Sequence, residues 1–162
     1  METLRQKIEA LSPEVFSLDN IRIRRICDDT DLWYAVVECR LAPGQEEYVN
    51  PAGFSIGRAY LNPDQNIPCI ILKEQTPIGY IVLRQWDGSA NSWSYYLDRQ
   101  YQGQGYGKAA AGLAVKILKA ADPAVPIKLS AEQENKKAHR LYQSIGFRLS
   151  GERDGDDLVF VY

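Results

Sequence analysis

Three glycines within five residues stand directly before a helical pattern, in the stretch QYQGQGYGKAAAGLAVKIL at residues 100–118. Inside a helix glycine costs ~1 kcal/mol relative to alanine, so glycines at this point indicate a sharp turn or a close approach to the backbone. The first N–H groups of a helix have no intrahelical partner and bind anions such as pyrophosphate. Gly103, Gly105 and Gly107 therefore predict an anion-binding loop, although an ordinary loop before a helix accounts for them equally well.

Two common phosphate-binding motifs do not fit this loop. The dinucleotide fingerprint G-x-G-x-x-G needs a glycine where the chain has Lys108. The P-loop motif needs a glycine in place of Gln102 and a hydroxyl residue in place of Ala109. The pattern that remains is a strand, then Q-x-x-G-x-G, then a helix.

A second pattern, NKKAHRLYQSIGFR at residues 135–148, completes a resemblance to the GNAT acetyltransferase superfamily. The coenzyme A loop of that family, R/Q-x-x-G-x-G/A after a strand, is matched by Gln102, Gly105 and Gly107. Its later signature, N-x-x-A-x-x-L-Y-x-x-x-G-F, is matched by Asn135, Ala138, Leu141, Tyr142, Gly146 and Phe147. The resemblance covers about residues 20–162, and within the family the sequence most resembles bacterial spermine, spermidine and diamine acetyltransferases.

The resemblance implies acetyl-CoA as the acetyl donor and no metal. Backbone N–H groups of the glycine loop would wrap the pyrophosphate, and exposed lysines would meet the phosphates. The strand ending in YYL would carry a bulge and splay from its neighbour, so that the pantetheine arm pairs with backbone near Leu97. Asn135 would bind the arm from the far side. The implied cofactor-binding residues are Leu97, Gln102, Gly103, Gln104, Gly105, Tyr106, Gly107, Lys108 and Asn135.

Tyr142 matches the family tyrosine that protonates the departing thiolate of coenzyme A. A phenol with a pKa near ~10 and a thiol with a pKa near ~8.5 are close enough for such a transfer. The alternative is a core tyrosine on an amphipathic helix. The general base stays unassigned: Ser130 stands where some family members have glutamate, Glu132 is expected to face elsewhere, and Asp98 occupies a place of backbone contacts.

The resemblance implies that a small-molecule primary amine is the acceptor and attacks directly in a ternary complex. We expect a polyamine, since Glu38, Glu46 and Glu47 can attract a polycation, although each carboxylate alone is also an ordinary surface group. Aromatic residues that could bind its ammonium groups are Trp33, Tyr34, Trp86 and Trp93. The alternatives are a non-catalytic acyl-CoA sensor and an acetyltransferase that acts on a protein N-terminus or lysine.

The composition argues against several other classes of protein. With 162 residues, 45% of them hydrophobic, the chain suits one soluble domain, and a net charge of −2 disfavours a nucleic-acid partner. No segment approaches the ~20 apolar residues of a membrane span. The single histidine, His139, excludes a multi-histidine metal site. We expect a cytoplasmic protein whose three cysteines are buried and reduced, and a homodimer is left open.

Apolar periodicity and turn residues predict the element order β-α-α-β-β-β-α-β-α-β-β. This order indicates an α/β fold with a mixed, mostly antiparallel central sheet, splayed strands and flanking helices, as in the GNAT acetyltransferases. The first hairpin is expected to turn at Thr76 and Pro77. Residues 1–18 are expected to form an N-terminal helical extension, and residues 19–162 the acetyltransferase domain.

Overall fold

The strands form two antiparallel sheets in the computed structural model, which describes residues 1–162. The first sheet holds, in sequence order, β1 (Ser17–Leu18), β2 (Ile21–Arg25), β3 (Asn66–Lys73), β4 (Thr76–Asp87) and β5 (Ala90–Leu97). The second has the order β6-β8-β7, from β6 (Lys128–Ala131), β7 (Arg148–Asp154) and β8 (Asp157–Val161). The helices are α1 (Leu4–Glu9), α2 (Asp29–Trp33), α3 (Ala52–Leu61), α4 (Tyr106–Ala121) and α5 (Lys136–Ser144).

Side chains that alternate along the central strands divide the core into two parts. Ile71, Ile81 and Leu83 belong to a cluster of 24 buried residues that also includes one face of α4. Ile70 and Tyr80, one step along the same strands, belong to a smaller cluster that includes the start of α3. The first sheet is therefore covered on both faces, which agrees with the near-continuous apolar runs of β3 and β4.

The two sheets are joined by one parallel bridge between Asn91 and Ile127, and beyond it β5 and β6 separate. This arrangement confirms the expected α/β fold with a mostly antiparallel, splayed sheet. The expected bulge in β5 is wrong, because β4 and β5 pair regularly from Gly79 with Leu97 to Gln85 with Asn91, and the irregularity in this ladder lies on β4, between Gln85 and Asp87. Divergence after the bridge, rather than a bulge in β5, opens the gap between the strands.

Two other local expectations are wrong. The first hairpin turns earlier than expected, because Glu74 adopts a positive φ of 54° and β4 already begins at Thr76. Cys27 is exposed, whereas Cys39 and Cys69 are buried, and all three thiols are free. Burial raises the pKa of both Cys39 and Cys69 to about 12, so these two thiols stay protonated at neutral pH.

The N-terminal segment packs into the larger core. Thr3 caps α1 in a reciprocal capping box with Gln6, and the buried side chains of Leu4 and Ile8 join the cluster that contains α4. Lys7 forms an ion pair with Asp122, which caps the far end of α4. No helix of the protein is both long and apolar enough to span a lipid bilayer.

Candidate active site

A cleft of about 1040 Å³ lies where β5 and β6 separate. Its walls come from β5, β6, the N-terminal ends of α4 and α5, the segment 45–51, and parts of α3 and β4. The sequence-predicted site residues that line it are Leu97, Gln102, Gly103, Gly105, Gly107, Lys108, Asn135 and Tyr142. Gln104 and Tyr106 do not line it: the Gln104 amide donates to the Gln100 carbonyl, and the Tyr106 ring packs beside the Lys73 ammonium group.

The glycine loop lines this cleft at Gly103, Gly105, Gly107 and Lys108 and has open backbone N–H groups there. Gly103 and Gly105 have φ values of +74° and +88°, which residues with a Cβ rarely adopt. Gly105 caps α4 without a side chain, and the first helical hydrogen bond runs from Ala109 N–H to the Gly105 carbonyl. The N–H groups of residues 103–108 consequently have no acceptor within the protein. Open amides at the start of a helix suit a pyrophosphate.

The free edge of β5 supplies the second feature of the cleft. Asp98 N–H bonds to the Ile78 carbonyl of β4, whereas Asn91 N–H bonds to the Pro126 carbonyl on the opposite side. Because antiparallel strands alternate the direction of their backbone groups, Trp93, Tyr95 and Leu97 point theirs away from β4, toward the cleft. An extended chain with amide groups, such as pantetheine, can pair with this edge as an added strand.

Gln102 holds the floor of the cleft together through its side chain. Its Nε2 donates to the Leu97 carbonyl oxygen at 3.0 Å, and its amide forms two reciprocal hydrogen bonds with Gln45, at 2.8 and 2.9 Å. The Leu97 carbonyl therefore already has a donor, which leaves its N–H for a ligand. Gln102 ties the end of β5 to the segment 45–51, a contact between residues 57 positions apart that no local pattern reveals.

Asn135 serves as the N-cap of α5, where its Oδ1 accepts from Ala138 N–H at 3.2 Å. Its Nδ2 has no partner and remains available to a ligand carbonyl. Lys136 and Lys137 follow on α5 and line the cleft together with Lys108, and all three are exposed. The rim next to the open amides thus carries cationic side chains, which suits a ligand with several phosphates.

Tyr142 reaches the cleft from α5 and packs against Phe147 and Phe160, with ring centroids 6.0 and 5.5 Å apart. Its hydroxyl makes no hydrogen bond within the protein. Burial raises the pKa of Tyr142 to about 12, so the phenol is protonated at neutral pH and acts as a donor rather than a base.

The carboxylates near this cleft are not arranged as a general base. Asp98 is buried, and it accepts from the backbone N–H groups of Arg40 and Gln100 at 3.0 and 2.9 Å, which makes it a structural cap. Glu132 and Glu134 line the cleft but are exposed, and Ser130 beside them is uncharged. The half-buried Asp157 also lines the cleft, and no fully buried carboxylate there is free to accept a proton.

The remaining half of the cleft lies on the other face of β5, beside α3. Glu46 and Glu47 line it, whereas Glu38 lies in a separate pocket with Trp33 and Tyr34. The first helix of the predicted element order is divided in the structure, because α2 continues as a π-helix over Tyr34–Glu38. Of the four predicted aromatic residues, Trp93 alone lines the cleft.

Among the cleft residues that the sequence-based prediction did not name are Arg58, Arg84 and Tyr95. Tyr95 donates from its hydroxyl to the Gly107 carbonyl at 3.2 Å and so fixes α4 against β5. The alternation of side chains along β4 could have identified Arg84. It follows Tyr80 and Val82 at steps of two residues, so it lies on the same inward-facing side of the strand, where a charged residue interrupts an apolar row.

Comparisons with known proteins agree with this geometry. The model of the Acetyltransferase (GNAT) family matches residues 32–147 of the chain. No curated protein matches the sequence.

Solved structures with the same fold include several acetyltransferases. A spermidine N-acetyltransferase from Vibrio cholerae in complex with CoA and spermine superposes with a TM-score of 0.69 at 16% identity, over 89% of this chain and 94% of that one. A putative ribosomal-protein-serine acetyltransferase from Vibrio cholerae gives 0.68 at 18% identity, over 94% and 99%. An aminoglycoside acetyltransferase in complex with coenzyme A gives 0.66 at 20%, over 88% and 94%. At these identities the likeness concerns the fold.

Proposed function

This chain belongs to the GNAT acetyltransferase family, and we propose that it acetylates a small primary amine by direct attack of the amine in a ternary complex. Acetyl-CoA is the donor substrate, and its thioester supplies the activated acetyl group. The observation that carries the proposal is one cleft that combines the open amides of Gly103, Gly105, Gly107 and Lys108 with the free hydroxyl of Tyr142.

The residues of the donor half fit coenzyme A in three ways. The open N–H groups of residues 103–108 would hold its pyrophosphate, since they have no acceptor of their own. The Leu97 N–H at the free edge of β5 and the Asn135 Nδ2 would bind the amide groups of the pantetheine arm.

Tyr142 would donate a hydrogen bond to the departing sulfur, because its phenol remains protonated throughout the physiological pH range. The acceptor must be neutral to attack. A free alkylamine with a pKa of ~10.4 is only ~0.04% neutral at pH 7, a handicap of ~4.6 kcal/mol.

A small polyamine such as spermidine is one acceptor that we propose within this activity. Its support is the position of Glu46 and Glu47 on the cleft wall, where they could attract a second ammonium group. Charge attraction of this kind should weaken as salt is added. Arg58 and Arg84 weigh against a polycation, because they line the same half of the cleft.

The test is release of free thiol from acetyl-CoA in the presence of an amine panel. The panel contains spermidine, an aminoglycoside, a peptide with a free N-terminus, and lysine. We expect turnover with at least one small amine. Turnover with the peptide alone would favour the protein-modifying alternative. Tight binding of acetyl-CoA without turnover of any amine would overturn the proposal and favour an acyl-CoA sensor.

A further inference from the structure

Arg84 is a half-buried cation that has no partner in the protein. It lies on β4 opposite Asn66 of β3 and Ser92 of β5, and all three residues line the cleft. Its Nε is buried and makes no hydrogen bond. The ion pairs of the protein involve other residues, so no carboxylate lies within 4.0 Å of the Arg84 guanidinium group. A buried cation without a partner normally destabilises a fold.

The surroundings of Arg84 add to this cost. Burial lowers the pKa of Arg84, the positive charge of Arg58 lowers it further, and the negative charge of Asp154 opposes both effects. Arg58 belongs to the exposed face of α3, lines the same half of the cleft, and forms no ion pair. Neither guanidinium group has a carboxylate within 4.0 Å, while Glu46, Glu47 and Asp157 line the cleft farther away. An anion bound to both arginines would offset the burial of Arg84 and the repulsion between the two cations.

The position of the two arginines separates them from the expected phosphate site. Leu97, next to the glycine loop, lies five residues along β5 from Ser92, which is opposite Arg84; this is ~17 Å at ~3.3 Å per strand residue. Side chains of Trp93, Tyr95 and Leu97 belong to the core on the α4 side, whereas Arg84 shares the face of Tyr80 and Val82. The arginines thus face the acceptor half.

We propose that Arg84 and Arg58 form a subsite for a carboxylate carried by the acceptor amine, so that the substrate is a small amine with an acidic group. This inference rests on the proposed function and names its substrate class. A guanidinium group presents a planar set of N–H donors that matches a carboxylate in two parallel hydrogen bonds. The Arg84 guanidinium carbon lies 5.5 Å from the centroid of the Trp86 ring, and the Arg58 guanidinium carbon lies 5.5 Å from the centroid of the Phe54 ring. Both side chains are thereby oriented before a ligand arrives.

The test compares acceptors that differ only by the carboxylate: lysine with cadaverine, ornithine with putrescine, and 5-aminovalerate with butylamine. We expect kcat/KM to favour the carboxylated member of at least one pair by ~10-fold or more, the range of a hydrogen bond to a charged group. In Arg84→Gln and Arg58→Gln the ratio of kcat/KM between the carboxylated member of that pair and the member without the carboxylate should fall toward 1. Arg22→Gln is the matched control, because Arg22 also has a buried Nε without a partner but does not line the cleft. It should keep the wild-type preference.

Calorimetric titration of lysine, ornithine and 5-aminovalerate into the CoA-loaded protein separates failure of this inference from failure of the proposed function. Binding that is lost in Arg84→Gln supports the subsite even if no amine is turned over. Turnover in which the amine without the carboxylate is preferred in every pair overturns the subsite and leaves acetyl transfer intact. Equal preferences in wild type and Arg84→Gln would overturn it too. Arg84→Gln should fold, because it removes an unpaired cation, and its melting temperature checks this.

Discussion

At the scale of single residues, Tyr142 has a cleft-facing hydroxyl without a partner, which makes Tyr142→Phe a clean test of acid catalysis. The substitution keeps the packing against Phe147 and Phe160 and removes only the donor. Positioned proton donors contribute ~10²–10⁴-fold, so we expect kcat to fall by about that factor. The melting temperature should change little, because the hydroxyl makes no hydrogen bond to be lost.

Tyr80→Phe is the matched control, since Tyr80 also has a buried hydroxyl without a hydrogen bond but lies outside the cleft. It should leave kcat near the wild-type value. A wild-type kcat in Tyr142→Phe would show that Tyr142 is a packing residue, and no acid would then be assigned.

The pH dependence of the reaction follows from the same tyrosine. An acid acts in its protonated form, and the raised pKa of Tyr142, about 12, keeps that form complete up to pH ~10. With no buried carboxylate acting as a base, log kcat/KM should rise by ~1 per pH unit from pH 7 to 9, as the free amine with a pKa of ~10.4 loses its proton. Initial rates across this range provide the measurement. A plateau that begins near neutral pH would instead reveal a titrating base on the enzyme.

At the scale of elements, the turn into α4 is the feature on which donor binding depends. In Gly105→Ala the new Cβ would occupy open space beside the cleft, and the φ of +88° would strain the backbone. Gly151→Ala is a control with nearly the same φ, +82°, and similarly open surroundings, but it lies outside the cleft. Both should lose ~1–2 kcal/mol of folding free energy. We expect only Gly105→Ala to weaken acetyl-CoA binding, by ~10-fold or more in calorimetry, as one amide contact to a charged group is disturbed. Equal affinities in the two variants would remove Gly105 from the donor site.

At the scale of the whole molecule, the N-terminal segment belongs to the core on which the cleft is built. Ile8 is only 2% exposed and packs in the same cluster as α4. We expect Ile8→Ala to lower the free energy of unfolding by ~2–5 kcal/mol, since it leaves a cavity in a close-packed region. Leu61→Ala, at a side chain 75% exposed, should change it by at most ~0.5 kcal/mol. Denaturant unfolding gives both values. An Ile8→Ala protein as stable as the wild type would mean that residues 1–18 are dispensable for the core.

The sequence by itself determined the features that depend on neighbouring residues. The glycines at 103, 105 and 107 predicted a turn and an exposed helix start, because only a few residues are needed to produce that geometry. Apolar alternation and periodicity predicted β3, β4, α4 and the overall class of fold in the same way. The predicted element boundaries were wrong where the conformation of a single residue sets them. Examples are Glu74 in the first hairpin and Tyr34, at which the α-helix changes to a π-helix.

Only the tertiary structure decided which backbone and side-chain groups are free to bind. The register with β4 turns both the N–H and the carbonyl of Leu97 toward the cleft. Gln102, held by the distant Gln45, occupies the carbonyl and leaves the N–H free. The isolation of Arg84 likewise depends on which carboxylates the fold brings near it. Such facts follow from contacts between residues far apart in the chain. Local spacing carries no information about them, because the splay of β5 from β6 arises from the packing of both sheets.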